Sequence, residues 1–318
     1  ELTVTGVRGF VIDEYSFRIL PEQIKPQGQG QSGQLSCQEK ADVIEIQSVG
    51  GVFTVDKRNG LLSAGQGGNA VLLQSPALIV LPLNGDGEGV QMVGKDQKFK
   101  PYNPVCENWI AQSVTCLPGD ELISIKVKGI YKEAEGIFEY RFHKNGEVTF
   151  VYDFTMLQDI SPRQTGLVFT LPSSFTHLDW KRKGYWSVYP EDHIGALTGQ
   201  AEAFDASLPV SGLAGPSKQP VKSWSYDQTA AGSNMFRSTK ENIYSARLKD
   251  GSGQSVTVKS DGTQYVRAWI EGDAIRLLVA DYNNPGKENF LIPHAEKGYK
   301  PLRKGDKVQG KVTVSFHP

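Results

Sequence analysis

The stretch 180–195, WKRKGYWSVYPEDHIG, concentrates the side chains best suited to chemistry. It holds Trp180, Tyr185, Trp186 and Tyr189 beside Lys181, Arg182, Lys183 and His193, with the adjacent carboxylates Glu191 and Asp192. A strand buried on both faces would not tolerate that charge density, and a solvated loop rarely exposes so many aromatics. The mixture suits a strand and loop at the rim of a cleft. A pyranose, with its apolar C–H face and belt of hydroxyls, is a fitting client. The same residues also describe a core strand running into a loop whose aromatics simply pack.

A second segment is alike in kind. Trp224-Ser225-Tyr226 is followed by Asn234, Arg237, Lys240, Glu241 and Asn242. A guanidinium and side-chain amides match sugar hydroxyls, whereas an Arg237–Glu241 contact would merely pin the loop to its own sheet. The candidate carbohydrate-binding residues are therefore Tyr185, Trp186, His193, Trp224, Tyr226, Arg237 and Glu241.

Catalytic constellations are sparse. Glycoside hydrolysis needs two carboxylates facing each other across the scissile bond, about 5 Å apart for retention. Glu191 and Asp192 are not such a pair, because neighbours on an extended chain point to opposite faces. The histidines (His143, His177, His193, His294 and His317) form no H-x-x-x-H or H-E-x-x-H pattern, and no G-x-S-x-G elbow is present. His193 stands out because Glu191 and Asp192 are placed to favour its charged form; a lone loop histidine is nevertheless most often a structural hydrogen-bonder. Asn84-Gly85-Asp86-Gly87-Glu88-Gly89 begins like a calcium loop, but its twelfth position is Lys95, where a bidentate glutamate belongs. It reads as a glycine-rich turn. No cofactor is expected, and calcium held by other loops is left open. Gly28-x-Gly30-x-x-Gly33 matches a dinucleotide fingerprint only formally, since Pro21 and Pro26 replace the preceding strand and no helix pattern follows.

Composition bounds the rest. The 318 residues carry 34 Lys and Arg against 35 Asp and Glu, a net charge of −1, which gives no electrostatic case for nucleic acid or an anionic membrane. No run approaches eighteen apolar residues, so no membrane-spanning helix is expected. Cys37, Cys106 and Cys116 are too few for a disulfide framework. Cys106 and Cys116 either pair across a hairpin or remain buried thiols.

The elements that must position these groups are strands. From Asp42 onward the pattern is period two almost everywhere, with Asn59-Gly60 and Asn145-Gly146 as hairpin signals. Strands are expected at 122–131, 140–142, 148–152, 167–171, 255–259, 265–270, 275–282 and 311–316. The best helical candidate, 238–248, is short and is weakened by Asn242, Tyr244 and Ser245. The 34 glycines and 17 prolines punctuate short runs, so the fold class is all-β, a large two-sheet antiparallel sandwich. Residues 1–30 read as lead-in strands and a Gly/Gln-rich linker, the end of a preceding domain or its linker, and 31–318 as the sandwich. The weakly patterned 205–239 is longer than a plain connector.

The order of several motifs resembles the C-terminal domain of family 2 glycoside hydrolases, the β-galactosidase family. Val52-Phe53-Thr54-Val55-Asp56-Lys57-Arg58-Asn59-Gly60-Leu61-Leu62 is similar to that domain's opening F-x-V-x-F-D-K-x-T-G-L-L, and Ser75-Pro76-Ala77-Leu78 to its G-P and apolar continuation. The segment 162–172, PRQTGLVFTLP, resembles a P-R-x-G-x-x-x-x-L-P strand. Trp180, Gly184, Tyr189 and Pro190 keep the spacing of W-x-G-x-G-P-x-E-x-Y-x-D, and 237–241 resembles a later R-x-x-x-E segment. Arg182, Tyr185 and Ser187 depart from that signature, so the likeness does not carry over a β-galactoside as substrate.

The resemblance implies a galactose-mutarotase-like supersandwich, the C-terminal part of a larger secreted or periplasmic glycoside hydrolase. It places the catalytic carboxylates in a separate TIM barrel, whose alternating βα pattern this chain lacks. The expected partners are an oligosaccharide and that barrel. Trp180, Gly184 and Tyr189 become framework, leaving Tyr185, Trp186 and His193 to meet the sugar. Two other readings stand beside this one. The first is an independent mutarotase-like enzyme using His193 or His177 with Glu241, and the second is a purely structural packing module.

Overall fold

The computed structural model describes residues 2–9, 11–15, 33–66, 69–82, 105–184, 197–202, 239–283 and 300–317. The first strands are β1 (Leu2–Thr5), β2 (Val11–Tyr15), β3 (Ser36–Glu39), β4 (Val43–Ser48), β5 (Gly51–Asp56), β6 (Leu62–Gln66) and β7 (Asn69–Pro82). They are followed by β8 (Ile110–Leu117), β9 (Leu122–Ile130), β10 (Ala134–His143), β11 (Glu147–Met156), β12 (Pro162–Pro172) and β13 (His177–Arg182). The last are β14 (Thr198–Glu202), β15 (Lys240–Lys249), β16 (Ser255–Glu271), β17 (Ala274–Asn283) and β18 (Lys307–His317).

β1 and β2 pair in a two-stranded sheet of their own, while the other strands form one 16-stranded sheet. Its main path runs β3-β4-β5-β6-β7-β12-β17-β16-β18-β11-β10-β9-β8, with β13, β14 and β15 branching from β16. Every pairing is antiparallel. The hairpins form where the sequence signals them. Gly60 and Gly146 hold φ of +67° and +82°, conformations open to glycine. Asn59 and Asn145 accept backbone N–H groups two residues on, from Leu61 and Glu147.

The sheet curls so that its remote parts meet. Phe53 on β5 packs 5.3 Å from Phe142 on β10 and from Phe316 on β18, and Phe150 on β11 lies 4.9 Å from Phe169 on β12. In none of these contacts are the two strands neighbours on the path. Two layers therefore enclose one core, stitched by Tyr140 Oη donating to Gly60 O (2.8 Å) and Trp109 Nε1 donating to Asn59 O (2.8 Å). β11 shows why its sequence forms a strand: Val148, Phe150, Tyr152, Phe154 and Met156 are buried while the residues between them are partly exposed.

β16 links the layers. Its first part pairs with β18 and β15, and 265–271 pair with β17. The separate strands expected at 255–259 and 265–270 are thus one long strand whose partners change midway.

From Lys240 onward the candidate helical segment is a strand, β15. Lys240, Ile243 and Ala246 are buried at a three-residue spacing that imitates a helical face. Two irregularities cause this, between Lys240 and Ile243 and between Ile243 and Ser245, with Asn242 at φ +54°. A bulge inserts an extra residue and so breaks period two.

The cysteines are also placed differently from the hairpin pairing. Residues 110–117 form a single strand that carries Cys116, and Cys106 precedes that strand, so no hairpin turn lies between the two. Cys106 is buried, its N–H donating to Glu133 Oε2 (3.0 Å), and burial together with Glu133 pushes its thiol up. Cys116 instead faces Cys37.

Candidate functional site

One end of the sheet gathers the polar side chains. Here β7 ends at Pro82 opposite Pro162, β17 ends at Asn283 opposite Gln164, and β13 ends at Arg182 beside Ile243 near the start of β15. Gln164 and Asn283 are cross-strand partners, and Gln164 Nε2 donates to Asn283 Oδ1 at 2.9 Å. Arg267 Nη2 donates to Gln164 Oε1 at 3.1 Å, and Asn283 Nδ2 reaches Glu241 Oε1 at 3.4 Å. Arg182 Nε donates to the Glu241 carbonyl at 2.9 Å. The result is a relay of oriented groups running from Arg267 through Gln164 and Asn283 to Glu241.

Arg267 is only 2% exposed, its guanidinium stacked 4.5 Å from the centre of the Trp269 ring. A planar, weakly hydrated cation is the charge that tolerates such a place. Trp269 packs with Val168, Leu278, Ala280 and Tyr265 in a small cluster separate from the main core. The relay and this cluster therefore occupy the sheet's outer face. Burial first, then Glu241 and Tyr282, raise the Tyr265 phenol above its usual range.

A second polar group lies on the inner face. Tyr152 Oη donates to Asp281 Oδ2 at 2.5 Å, and Gln264 Nε2 donates to Asp281 Oδ1 at 2.9 Å and to Lys311 O at 2.8 Å. Asp281 is an exposed residue whose carboxylate is partly buried by its contacts with Tyr152 and Gln264. Burial raises its pKa, against the lowering effect of its two donors. Asp281 occupies an irregularity in the β12–β17 pairing, where Gly166 faces Ala280 and Thr165 faces Tyr282. The extra residue turns Asp281 toward Tyr152 of the core. Gly310 leaves room for this pair, since a β-carbon there would collide with Asp281 Oδ2 and Tyr152 Oη.

Of the residues expected to bind sugar, Tyr185, Trp186, His193, Trp224, Tyr226 and Arg237 lie outside the described residues, as does the glycine-rich segment 84–95. Glu241 is described, half-buried at the end of the relay. His177 is not near it. His177 pairs with Lys249 at one end of β15, and Glu241 lies near the other, roughly 25 Å away at about 3.3 Å per residue. Trp180 is core: it is 4% exposed, opposite Gly199 on β14, with Lys240 Nζ 5.2 Å from its ring centre. Gln164, Arg267, Asn283, Tyr152, Gln264 and Asp281 were not singled out by sequence pattern. Polar residues at alternating strand positions, such as Gln164 and Arg267 amid apolar neighbours, are the one signal that marks them. Among the described residues, no group of three or more His, Cys, Asp or Glu side chains could hold a metal ion. No helix among them is long and apolar enough to cross a membrane.

These features define an all-β antiparallel chain whose curled sheet closes on itself as a two-layer sandwich with a polar end. No protein-family model and no curated protein sequence matches the chain. Solved structures similar to it include a putative aldose 1-epimerase from Escherichia coli K12, at 11% identity and a TM-score of 0.43, covering 89% of this chain and 98% of that one. Another is an α-mannosidase from Enterococcus faecalis V583, at 12% identity and a TM-score of 0.47, covering 90% of this chain and 30% of that one. A third is the YidC insertase, at 10% identity and a TM-score of 0.31, covering 93% of this chain and 44% of that one. At these identities and scores the likeness goes no further than an all-β fold.

Proposed function

We propose that this chain is a non-catalytic, galactose-mutarotase-like carbohydrate-recognition module of a family 2 glycoside hydrolase, contributing to the rim of a sugar site whose catalytic barrel lies outside it. One observation carries the reading. Among the described residues, Glu241 and Asp281 are carboxylates on opposite faces of the sheet at its polar end, and each is held by side-chain donors of its own face. They do not face a common point, as a general acid and base or a nucleophile and acid must. The order of motifs across 52–62, 162–172 and 180–190 supplies the glycosidase context. The aromatic residues Tyr185, Trp186, Trp224 and Tyr226 are the surfaces on which a pyranose would stack.

The test is a titration of the chain with oligosaccharides, followed by intrinsic tryptophan fluorescence. Binding that is lost in Trp186→Ala or Trp224→Ala supports the module. If both variants bind as the unaltered chain does, or if no oligosaccharide binds, the role reduces to packing on a barrel. Reproducible hydrolysis of an aryl glycoside, abolished by mutating one of the chain's carboxylates, would overturn the reading.

A mutarotase-like enzyme is the rival. It needs an acid and a base spanning the ring oxygen and C1. The separation of His177 from Glu241 removes one of its two candidate pairs, leaving His193 with Glu241.

A further inference from the structure

The main path of the large sheet has two ends, β3 and β8, and a pair of thiols meets between them. Cys37 on β3 and Cys116 on β8 bring their Sγ atoms to 3.2 Å, although 79 residues separate them in sequence. Both sulfurs point inward. Cys37 pairs across its ladder with Ile46, and Cys116 with Ile125, and both isoleucines are fully buried. Cross-strand partners share a face, so the thiols meet between the layers. Each is partly exposed, which leaves a path for a small reagent.

We propose that Cys37 and Cys116 are a disulfide-forming pair that locks the two free ends of the curled sheet together. Edge strands are where a β-sandwich opens or recruits another chain. A covalent bond here would close the sandwich at the seam its hydrogen-bond ladder cannot cross.

The chemistry balances with an external disulfide, such as oxidised glutathione, as oxidant. The Cys37 thiolate attacks one sulfur of that disulfide, forming a mixed disulfide and expelling one glutathione thiolate. The Cys116 thiolate then attacks Cys37 Sγ and expels the second. Two protein thiols lose two electrons and two protons, and one external disulfide becomes two thiols. Burial, then the nearby Cys37 and Glu39, pushes the Cys116 thiol up to about 12. Closure, which needs a thiolate, is therefore expected to be faster at alkaline pH.

Cys106 is the internal control, since it is buried ahead of β8 beside Glu133. The full chain is equilibrated with oxidised glutathione at pH 8, alkylated, and digested without reduction. The expected result is a cross-linked peptide joining Cys37 and Cys116, with Cys106 alkylated only after unfolding. Closing so long a loop is expected to raise the thermal midpoint by roughly 5–10 °C. That rise should vanish on reduction and be absent from Cys37→Ser. Alkylation of both Cys37 and Cys116 after equilibration, a cross-link through Cys106, or a disulfide between two chains would each overturn the proposal.

Discussion

Tyr152 donates its hydroxyl hydrogen to Asp281 across the seam between β11 and β17, at 2.5 Å. This bond ties the end of the core to a carboxylate placed by a bulge. It is also one of two bonds that hold the Asp281 pKa down against the burial that raises it. Tyr152→Phe should therefore raise that pKa further.

The pH dependence follows in sign. A carboxylate whose folded pKa lies above its unfolded value favours the folded state most at low pH. That advantage fades as pH rises from the ordinary aspartate value through the folded one. Raising the folded pKa further enlarges this loss. Tyr152→Phe should thus cost about 1–3 kcal/mol near neutrality and less below the ordinary aspartate range. Urea unfolding of both proteins near pH 3 and pH 7 measures the difference.

Arg267→Leu removes the donor to Gln164 and the cation stacked on Trp269, leaving a buried amide oxygen without that hydrogen bond. A loss of about 3 kcal/mol is expected, read as a lower urea midpoint at unchanged slope. Arg267→Lys should recover little, because an ammonium supplies no planar face.

Gly199 lies beneath Trp180, and a β-carbon there would stand 2.5 Å from Trp180 Cζ2. Gly199→Ala should cost about 1–3 kcal/mol by displacing the indole. Gly251→Ala is the control, since no atom lies within 4 Å of its added carbon. Thermal unfolding of the two variants separates packing from a general glycine effect.

The strands that alternate cleanly, such as β9 and β11, were legible because one face of each meets the core. β15 was not, since its bulges place Lys240, Ile243 and Ala246 at helical spacing. The contact of Cys37 with Cys116 is equally invisible in sequence, because curling of the sheet, rather than spacing along the chain, brings β3 to β8. Asp281 escaped notice for a related reason: the extra residue in β17 turns its side chain toward Tyr152, and strict alternation does not reveal that turn. Glu241 was legible as a polar residue beside an aromatic segment, yet its partner Asn283 comes from a strand more than thirty residues away.

The absence of a facing acid–base pair among the described residues is the centre of the account, and polarimetry tests it most directly. Fresh α-galactose and α-glucose are followed with and without the chain at neutral pH. The account predicts the uncatalysed rate of mutarotation in both cases. Acceleration proportional to protein concentration, and lost in Glu241→Gln, would contradict it and make the chain an epimerase.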